Sequence, residues 1–232
     1  MNAADAQGGK LPPVIAIDGP AASGKGTVAQ AVAQALSYHY LDSGSLYRLV
    51  AFQALGSGIP VVAEAELARF AEGLAAVFYG ERIELDGADV TRAIRTPEVT
   101  EAASRIAVLP TVRRALLVRQ RSFRRAPGLV ADGRDMGTVV FPDAALKVYV
   151  TATAEERARR RYKQLIEKGN SVTIDGLLRD IRERDARDTS RAAAPLQPAD
   201  DAVVLDTTGM SIEESIAFVL ERYRSRRGKG TG

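Results

Sequence analysis

The apolar positions of this chain fall into short unbroken runs separated by helix-spaced stretches. Val14-Ile15-Ala16-Ile17 is a continuous apolar run rich in β-branched residues. It predicts a strand buried on both faces, as in a parallel sheet. Similar runs recur at Leu129-Val130-Ala131, at Leu146 to Val150 and at Val203-Val204-Leu205. Between them the period changes. Val28, Val32 and Leu36 are spaced by four and mark one face of an alanine-rich helix after Gly24. Ile212, Ile216, Val219 and Leu220 mark another near the end. Strands alternating with helices predict an α/β fold with a parallel sheet flanked by helices.

Two segments depart from that alternation. Residues 61–108 carry a hairpin signal, with Ile83-Glu84-Leu85, then Asp86-Gly87, then a resumption at Val90. This predicts a small antiparallel insert. Residues 160–195 are dense in charge of both signs, and Arg157, Arg159, Arg160 and Arg161 lead in. They predict a solvated helical excursion that serves as a short lid. The remaining divisions are a flexible leader at 1–12, a core at 13–60 and 109–222, and a basic tail at 223–232 that frays.

Composition narrows the chemistry. The chain has 232 residues, 46% hydrophobic and 26% charged, enough for one large domain with a sizeable core. The net charge of +3 suits an anionic ligand without requiring nucleic acid. There is no cysteine, which excludes disulfides, thiolate metal sites and thiol catalysis. His39 is the single histidine, so a Ser-His-Asp triad would have to rest on it. No run of 18 apolar residues exists and the first ten residues are polar, so the expectation is a soluble cytoplasmic protein with no membrane partner.

The most informative stretch is Gly19-Pro20-Ala21-Ala22-Ser23-Gly24-Lys25-Gly26-Thr27. It follows the first predicted strand and opens the first predicted helix, the context that marks a phosphate-binding P-loop. Glycines let the backbone wrap a phosphate, successive N–H groups point inward, and the helix N-terminus adds a positive dipole end. Lys25 supplies a point charge for the β- and γ-phosphates. The residue after Lys25 is Gly26, where the common pattern has Ser or Thr to hold a metal. Thr27 is the next hydroxyl. Magnesium is then expected mainly on nucleotide oxygens and water, which that ion tolerates.

Four further stretches accompany the loop: Leu41-Asp42-Ser43-Gly44-Ser45-Leu46-Tyr47-Arg48, Ile94-Arg95-Thr96-Pro97-Glu98-Val99, Ala131-Asp132-Gly133-Arg134-Asp135-Met136-Gly137-Thr138, and Arg184-Asp185-Ala186-Arg187-Asp188-Thr189-Ser190-Arg191. Together they make the chain resemble the bacterial cytidylate kinases from about Val14 to Glu221. The resemblance implies ATP-dependent phosphorylation of CMP and dCMP to the diphosphates. It also implies a sheet core, a monophosphate-binding insert and a lid. Family roles carry over by position. Arg48 and Arg134 match acceptor-phosphate ligands, and Ser43 belongs with the substrate contacts. Ser104, Arg113 and Asp135 match the groups that read cytosine. Arg184 and Asp188 match ribose contacts, and Arg191 matches a lid arginine reaching the phosphates. Arg160 matches an arginine near the ATP base. Asp132 lies where related kinases place a carboxylate on the magnesium's water shell. Lys25, Arg48, Arg134 and Arg191 are thus the expected catalytic set.

The same residues make physical sense. A monophosphate acceptor brings its own nucleophile, so no general base is needed; the task is to align two anions and neutralise them. Arginines suit it, with a planar and permanently charged fork. Arg184, Arg187, Asp188 and Arg191 are spaced to share one helical face, which reads either as a closing lid or as a solvated face stitched by ion pairs. Arg134 and Asp135 follow a strand at the sheet edge where ligands of parallel sheets bind, although Asp135 could instead cap a helix. A carboxylate there accepts from the exocyclic amine that distinguishes cytosine from uracil. Arg114, Arg121 and Arg125 share a helical face that reads as solvent surface, and Arg159 and Arg161 read as surface too. His39 reads as packing, and Tyr47 as core or pocket lining. Two other functions compete: an RNA-binding P-loop protein, disfavoured by 6% aromatics and no Trp, and a kinase of another small metabolite. Nothing suggests an obligate interface, so a monomer is expected.

Overall fold

The computed structural model describes residues 11–80, 82–167 and 169–228. Most of the leader and residues 229–232 of the basic tail lie outside the described residues; residues 223–228, expected to fray, instead continue the last helix, and Tyr223 is buried against Tyr38. The chain begins with β1 (Val14–Asp18), α1 (Lys25–Leu36), β2 (His39–Asp42) and α2 (Ser43–Gly56). Then come α3 (Glu64–Glu72), β3 (Ala76–Tyr79), β4 (Arg82–Leu85), β5 (Ala88–Asp89), α4 (Pro97–Ile106) and α5 (Pro110–Ser122). It returns through β6 (Leu129–Gly133), a short helical turn (Met136–Val140), β7 (Leu146–Thr151), α6 (Ala154–Glu167), α7 (Ile174–Ser190), β8 (Val203–Asp206) and α8 (Ile212–Gly228).

Five parallel strands form the main sheet in the order β2-β6-β1-β7-β8, with Val14 opposite Leu129 and Ile15 opposite Leu146. The four predicted apolar runs are strands β1, β6, β7 and β8; the first three are buried, whereas β8 lies at the sheet edge, buries only Leu205 and leaves Val204 exposed. Alternate residues of β1 enter different cores: Val14 and Ala16 pack with α2 through α5, while Ile15 and Ile17 pack with α1 and α8. Strand β1 therefore runs through the middle of three layers, and its C-terminal end is held from both sides.

The antiparallel insert is present as β3-β4-β5, with Asp86-Gly87 turning β4 into β5. Its apolar face does not form a separate core. Ile83, Leu85 and Val90 bury in the same cluster as Val14 and Leu129. Arg119 of α5 donates to the Ala76 carbonyl of β3 and so closes one end of that small sheet.

The charge-rich segment is helical, but its first helix begins at Ala154 and is not wholly solvated: Arg157 is only 5% exposed. Helix α7 ends at Ser190, so Arg191 is its extended C-cap and does not share the helical face of Arg184, Arg187 and Asp188. Helix α5 likewise ends at Ser122, which removes Arg125 from the face expected with Arg114 and Arg121. Among the described residues, no helix is long and apolar enough to cross a membrane.

Candidate active site

The loop Gly19 to Thr27 joins β1 to α1, as its sequence requires. A Cβ on Gly19 would stand 2.0 Å from the Val150 carbonyl oxygen of β7, so the backbone can pass there only without a side chain. Helix α1 starts at Lys25 with no side-chain cap and no acidic residue in its first turn. Its leading amides are therefore left for an anion. The loop is anchored from behind by Asp18. Its two carboxylate oxygens accept from the amides of Met136 and Gly137, each at 2.8 Å. Burial pushes the Asp18 carboxyl up to about 7.

A cavity of about 190 Å³ opens beside the loop at the C-terminal ends of β1, β2 and β6. Lys25, Arg48, Arg113, Arg134, Arg184 and Arg191 line it, together with Asp42, Asp132, Asp135 and Asp188. Cations outnumber carboxylates, so the wall favours anions. Burial, then Arg134, pushes Lys25 down to about 7, and its Nζ lies 3.4 Å from the Pro20 carbonyl. Burial, then the repulsion of Arg134, lowers Arg184 to about 10.

Three arginines are held by carboxylates of the same wall. Arg48 pairs with Asp42 at 2.5 Å, Arg134 with Asp188 at 2.7 Å, and Arg113 with Asp135. Burial works to raise Asp42, but Arg48 and the Ser45 hydroxyl outweigh it and hold it low. Asp135 stays raised because burial outweighs Arg113. Its side chain caps no helix; that task falls to Asp18. Other donors are buried without a partner: Arg48 Nε, Arg184 Nε and Arg191 Nη2. Buried donors of that kind are costly unless they meet an acceptor.

Ser43, Ser104 and Tyr47 complete the wall, and the Arg113 guanidinium stands 5.9 Å from the centre of the Tyr47 ring. Tyr47 is thus both buried and pocket-lining. Asp132 accepts from the Tyr40 hydroxyl at 2.6 Å, and burial together with Asp42 pushes its carboxyl up to about 6. A Cβ on Gly26 would lie 3.4 Å from Asp132 Oδ2 and 3.7 Å from the Tyr40 hydroxyl. The Tyr40–Asp132 pair occupies the side of the loop that a residue-26 hydroxyl would face.

Not every expected residue reaches the cavity. Ala21 and Ala22 line it, whereas Gly19, Pro20, Ser23, Gly24 and Gly26 form the loop around Lys25, and Thr27 is exposed on α1. Arg160 is outside the cavity wall. It donates to the hydroxyl and carbonyl of Thr207, at 3.0 and 2.6 Å, and stands 3.7 Å from a Cβ built on Gly24. His39 is exposed and bonds the Ala126 carbonyl at 2.9 Å, so it neither packs in a core nor lines the cavity. Arg161 is half-buried rather than plain surface. Asp18, Tyr40 and Arg157 were not singled out from sequence; only the position of Asp18 directly before Gly19 hinted at a role.

A family model described as cytidylate kinase matches residues 15–225. The chain belongs to the cytidylate kinase family. It is 58% identical over 213 residues to a cytidylate kinase of Bordetella bronchiseptica, covering 92% of this chain and 96% of that one. It is 55% identical over 222 residues to a cytidylate kinase of Pseudomonas aeruginosa, covering 93% and 96%. Among solved structures, an uncharacterized protein from Eubacterium ventriosum is 10% identical with a TM-score of 0.51, covering 92% of this chain and 99% of that one, which is a likeness of fold alone. As a member of the cytidylate kinase family, the chain is a P-loop kinase that uses ATP as phosphoryl donor. Its acceptors are CMP and dCMP.

Proposed function

We propose that the cavity beside the Gly19–Thr27 loop is where CMP or dCMP accepts the γ-phosphoryl group of ATP by in-line transfer. The observation that carries this reading is the meeting of an uncapped helix N-terminus with six cationic side chains on one wall. The loop amides and Lys25 hold the β- and γ-phosphates of ATP, and Arg160, with Thr207, faces the rest of the donor. Arg48, Arg134 and Arg191 take the acceptor phosphate. On binding, Arg48 and Arg134 exchange Asp42 and Asp188 for phosphate oxygens, and the unpartnered nitrogens of Arg191 and Arg184 gain acceptors. Charge on the transferring group is thereby neutralised inside a wall that excludes water.

Asp135, kept in place by Arg113, accepts from the cytosine amine, and Ser104 lies on the same wall. Arg184 and Asp188 sit at the ribose, and Ser43 contributes beside Arg48. The donor set fits a magnesium ion carried largely by nucleotide oxygens and water. Asp132, with Asp42 close by, offers hard oxygen, while the described residues contain no cluster of three His, Cys, Asp or Glu that would cage a metal. Asp132 would hold the ion through water, and the ion would spread the charge of the phosphates. The protein works as a cytoplasmic monomer without nucleic acid or membrane.

The test is ADP release with CMP, dCMP, UMP, AMP and GMP as acceptors. The two cytidine nucleotides should exceed the others by at least about tenfold in kcat/KM, the discrimination expected of one charged hydrogen bond. Equal turnover of UMP or AMP would remove the base-reading role of Asp135.

A further inference from the structure

Arg157 lies in the first turn of α6 and does not line the cavity. Its guanidinium is buried, and all three of its nitrogens donate. Nε donates to the Ala152 carbonyl at 3.0 Å. Nη1 donates to the Ala21 carbonyl at 3.2 Å and to Asp185 Oδ1 at 3.0 Å. Nη2 donates to Asp185 Oδ2 at 2.5 Å. One side chain thus joins the end of β7, the phosphate-binding loop and helix α7.

The contact with Ala21 has a consequence across the peptide bond. The Ala21 C=O and the Ala22 N–H belong to one planar trans unit and point in opposite directions. Holding the carbonyl on the Arg157 side sends the Ala22 N–H to the other side of the loop. Ala22 also sits at φ 59°, a left-handed conformation that costs a residue with a side chain about 1 kcal/mol or more and persists only where its surroundings enforce it. Arg157 is a neighbour that enforces it. Asp185, at the other end of the fork, lies on α7 between Arg184 and Asp188, both of which face the cavity. Fastening α6 to α7 would need only the Asp185 pair; the bond to Ala21 goes beyond that.

We infer that Arg157 is a positioning residue for phosphoryl transfer: it orients the Ala21–Ala22 peptide of the phosphate-binding loop and ties that loop, through Asp185, to the helix carrying Arg184 and Asp188. The inference rests on the proposed reading of the loop as the ATP site. Its larger effect is on the donor side of the reaction, because Arg157 bonds the loop directly at the Ala21 carbonyl, whereas neither Arg157 nor Asp185 itself lines the cavity that takes CMP.

The experiment compares Asp185→Asn and Arg157→Lys with the unaltered protein, measuring kcat, both KM values, CMP affinity by calorimetry without ATP, and melting temperature. Asparagine keeps the shape of Asp185 but loses the charge that the fork grips, and lysine keeps the charge of Arg157 but cannot fork. Each variant should raise the KM for ATP and lower kcat, together costing roughly tenfold to a hundredfold in kcat/KM for ATP, the range for a small misplacement near a reacting group. CMP affinity should fall by severalfold less than the KM for ATP rises. The double variant should be little worse than Arg157→Lys alone, since the two residues act through one contact. A fall in melting temperature with kcat and both KM values unchanged would overturn the inference and leave a purely structural ion pair. Equal losses for ATP and CMP would overturn it too. Should Arg157→Lys not fold, Asp185→Asn alone decides. Lys25→Met, assayed alongside, separates the two claims: if it keeps its turnover, the loop is not the ATP site; if it loses turnover while Asp185→Asn is unaffected, only the positioning role fails.

Discussion

Arg134 and Asp188 meet at 2.7 Å although 54 positions separate them in the chain. The bond joins the end of β6 to α7, and both residues line the cavity. Burial works to raise Asp188, but Arg134 outweighs it and holds the carboxyl below the usual range. Asp188 therefore holds the Arg134 guanidinium against the cavity wall while it also faces the proposed ribose position. Asp188→Ala should raise the KM for CMP by roughly tenfold to a hundredfold, the worth of a hydrogen bond to a charged group. ATP affinity, measured by calorimetry, should change by less. An unchanged KM for CMP would mean that the pair serves α7 alone.

Lys25 is expected to act on charge that develops as the phosphoryl group moves. Lys25→Met should lower kcat by roughly a hundredfold to a thousandfold with the fold retained, read by ADP release and circular dichroism. The same residue makes a pH-dependent prediction. Burial and Arg134 bring its folded value from 10.5 down to about 7. The folded protein thus binds fewer protons than the unfolded chain between those values. The cost of burying Lys25 is full below about pH 7 and is relieved as pH rises toward 10.5. Lys25→Met should accordingly melt higher than the unaltered protein at pH 6, with the gap closing by pH 10. ATP binding at pH 8 should draw a proton onto Lys25, seen as a buffer-dependent heat that Lys25→Met lacks.

Asp135→Ala should lower kcat/KM for CMP by about a hundredfold while ATP binding holds within about twofold, because it removes the acceptor for the base and leaves Arg113 buried without its partner. The ratio of CMP to UMP turnover is the more specific readout. It should fall toward one. A uniform loss for both acceptors and for ATP would count against base reading.

Gly19→Ala forces a methyl to 2.0 Å from the Val150 carbonyl, with backbone on both sides of the clash. Overpacking of this kind costs about 1–3 kcal/mol or more. The melting temperature should drop by several degrees, roughly 2–4 °C for each kcal/mol in a chain of this size. An unchanged melt would show that β7 can move away from the loop.

The sequence revealed what is local. The loop was legible because strand, glycines, lysine and helix follow one another within fifteen residues, and the β4–β5 turn because Asp86-Gly87 carries its own geometry. Strand β2 was harder, since His39 to Asp42 offers a single fully buried residue, Leu41. Spacing alone puts Arg191 on the lid face, because spacing cannot say that α7 stops at Ser190. Arg157 was hidden in a run of arginines whose members look alike until burial separates it from the exposed Arg159. The Arg113–Asp135 and Arg134–Asp188 pairs join segments far apart in the chain, so no periodicity announces them. The family resemblance supplied those residues individually, and the structure supplied their partners.

The most direct test of the central claim is a crystal structure with a bisubstrate mimic that links adenosine to cytidine through a phosphate chain. The account predicts phosphates against the amides of residues 19–27 and Lys25, the acceptor end against Arg48, Arg134 and Arg191, and the cytosine amine against Asp135. A mimic bound with its phosphates away from the head of α1, or with its cytosine outside the reach of Asp135, would contradict it.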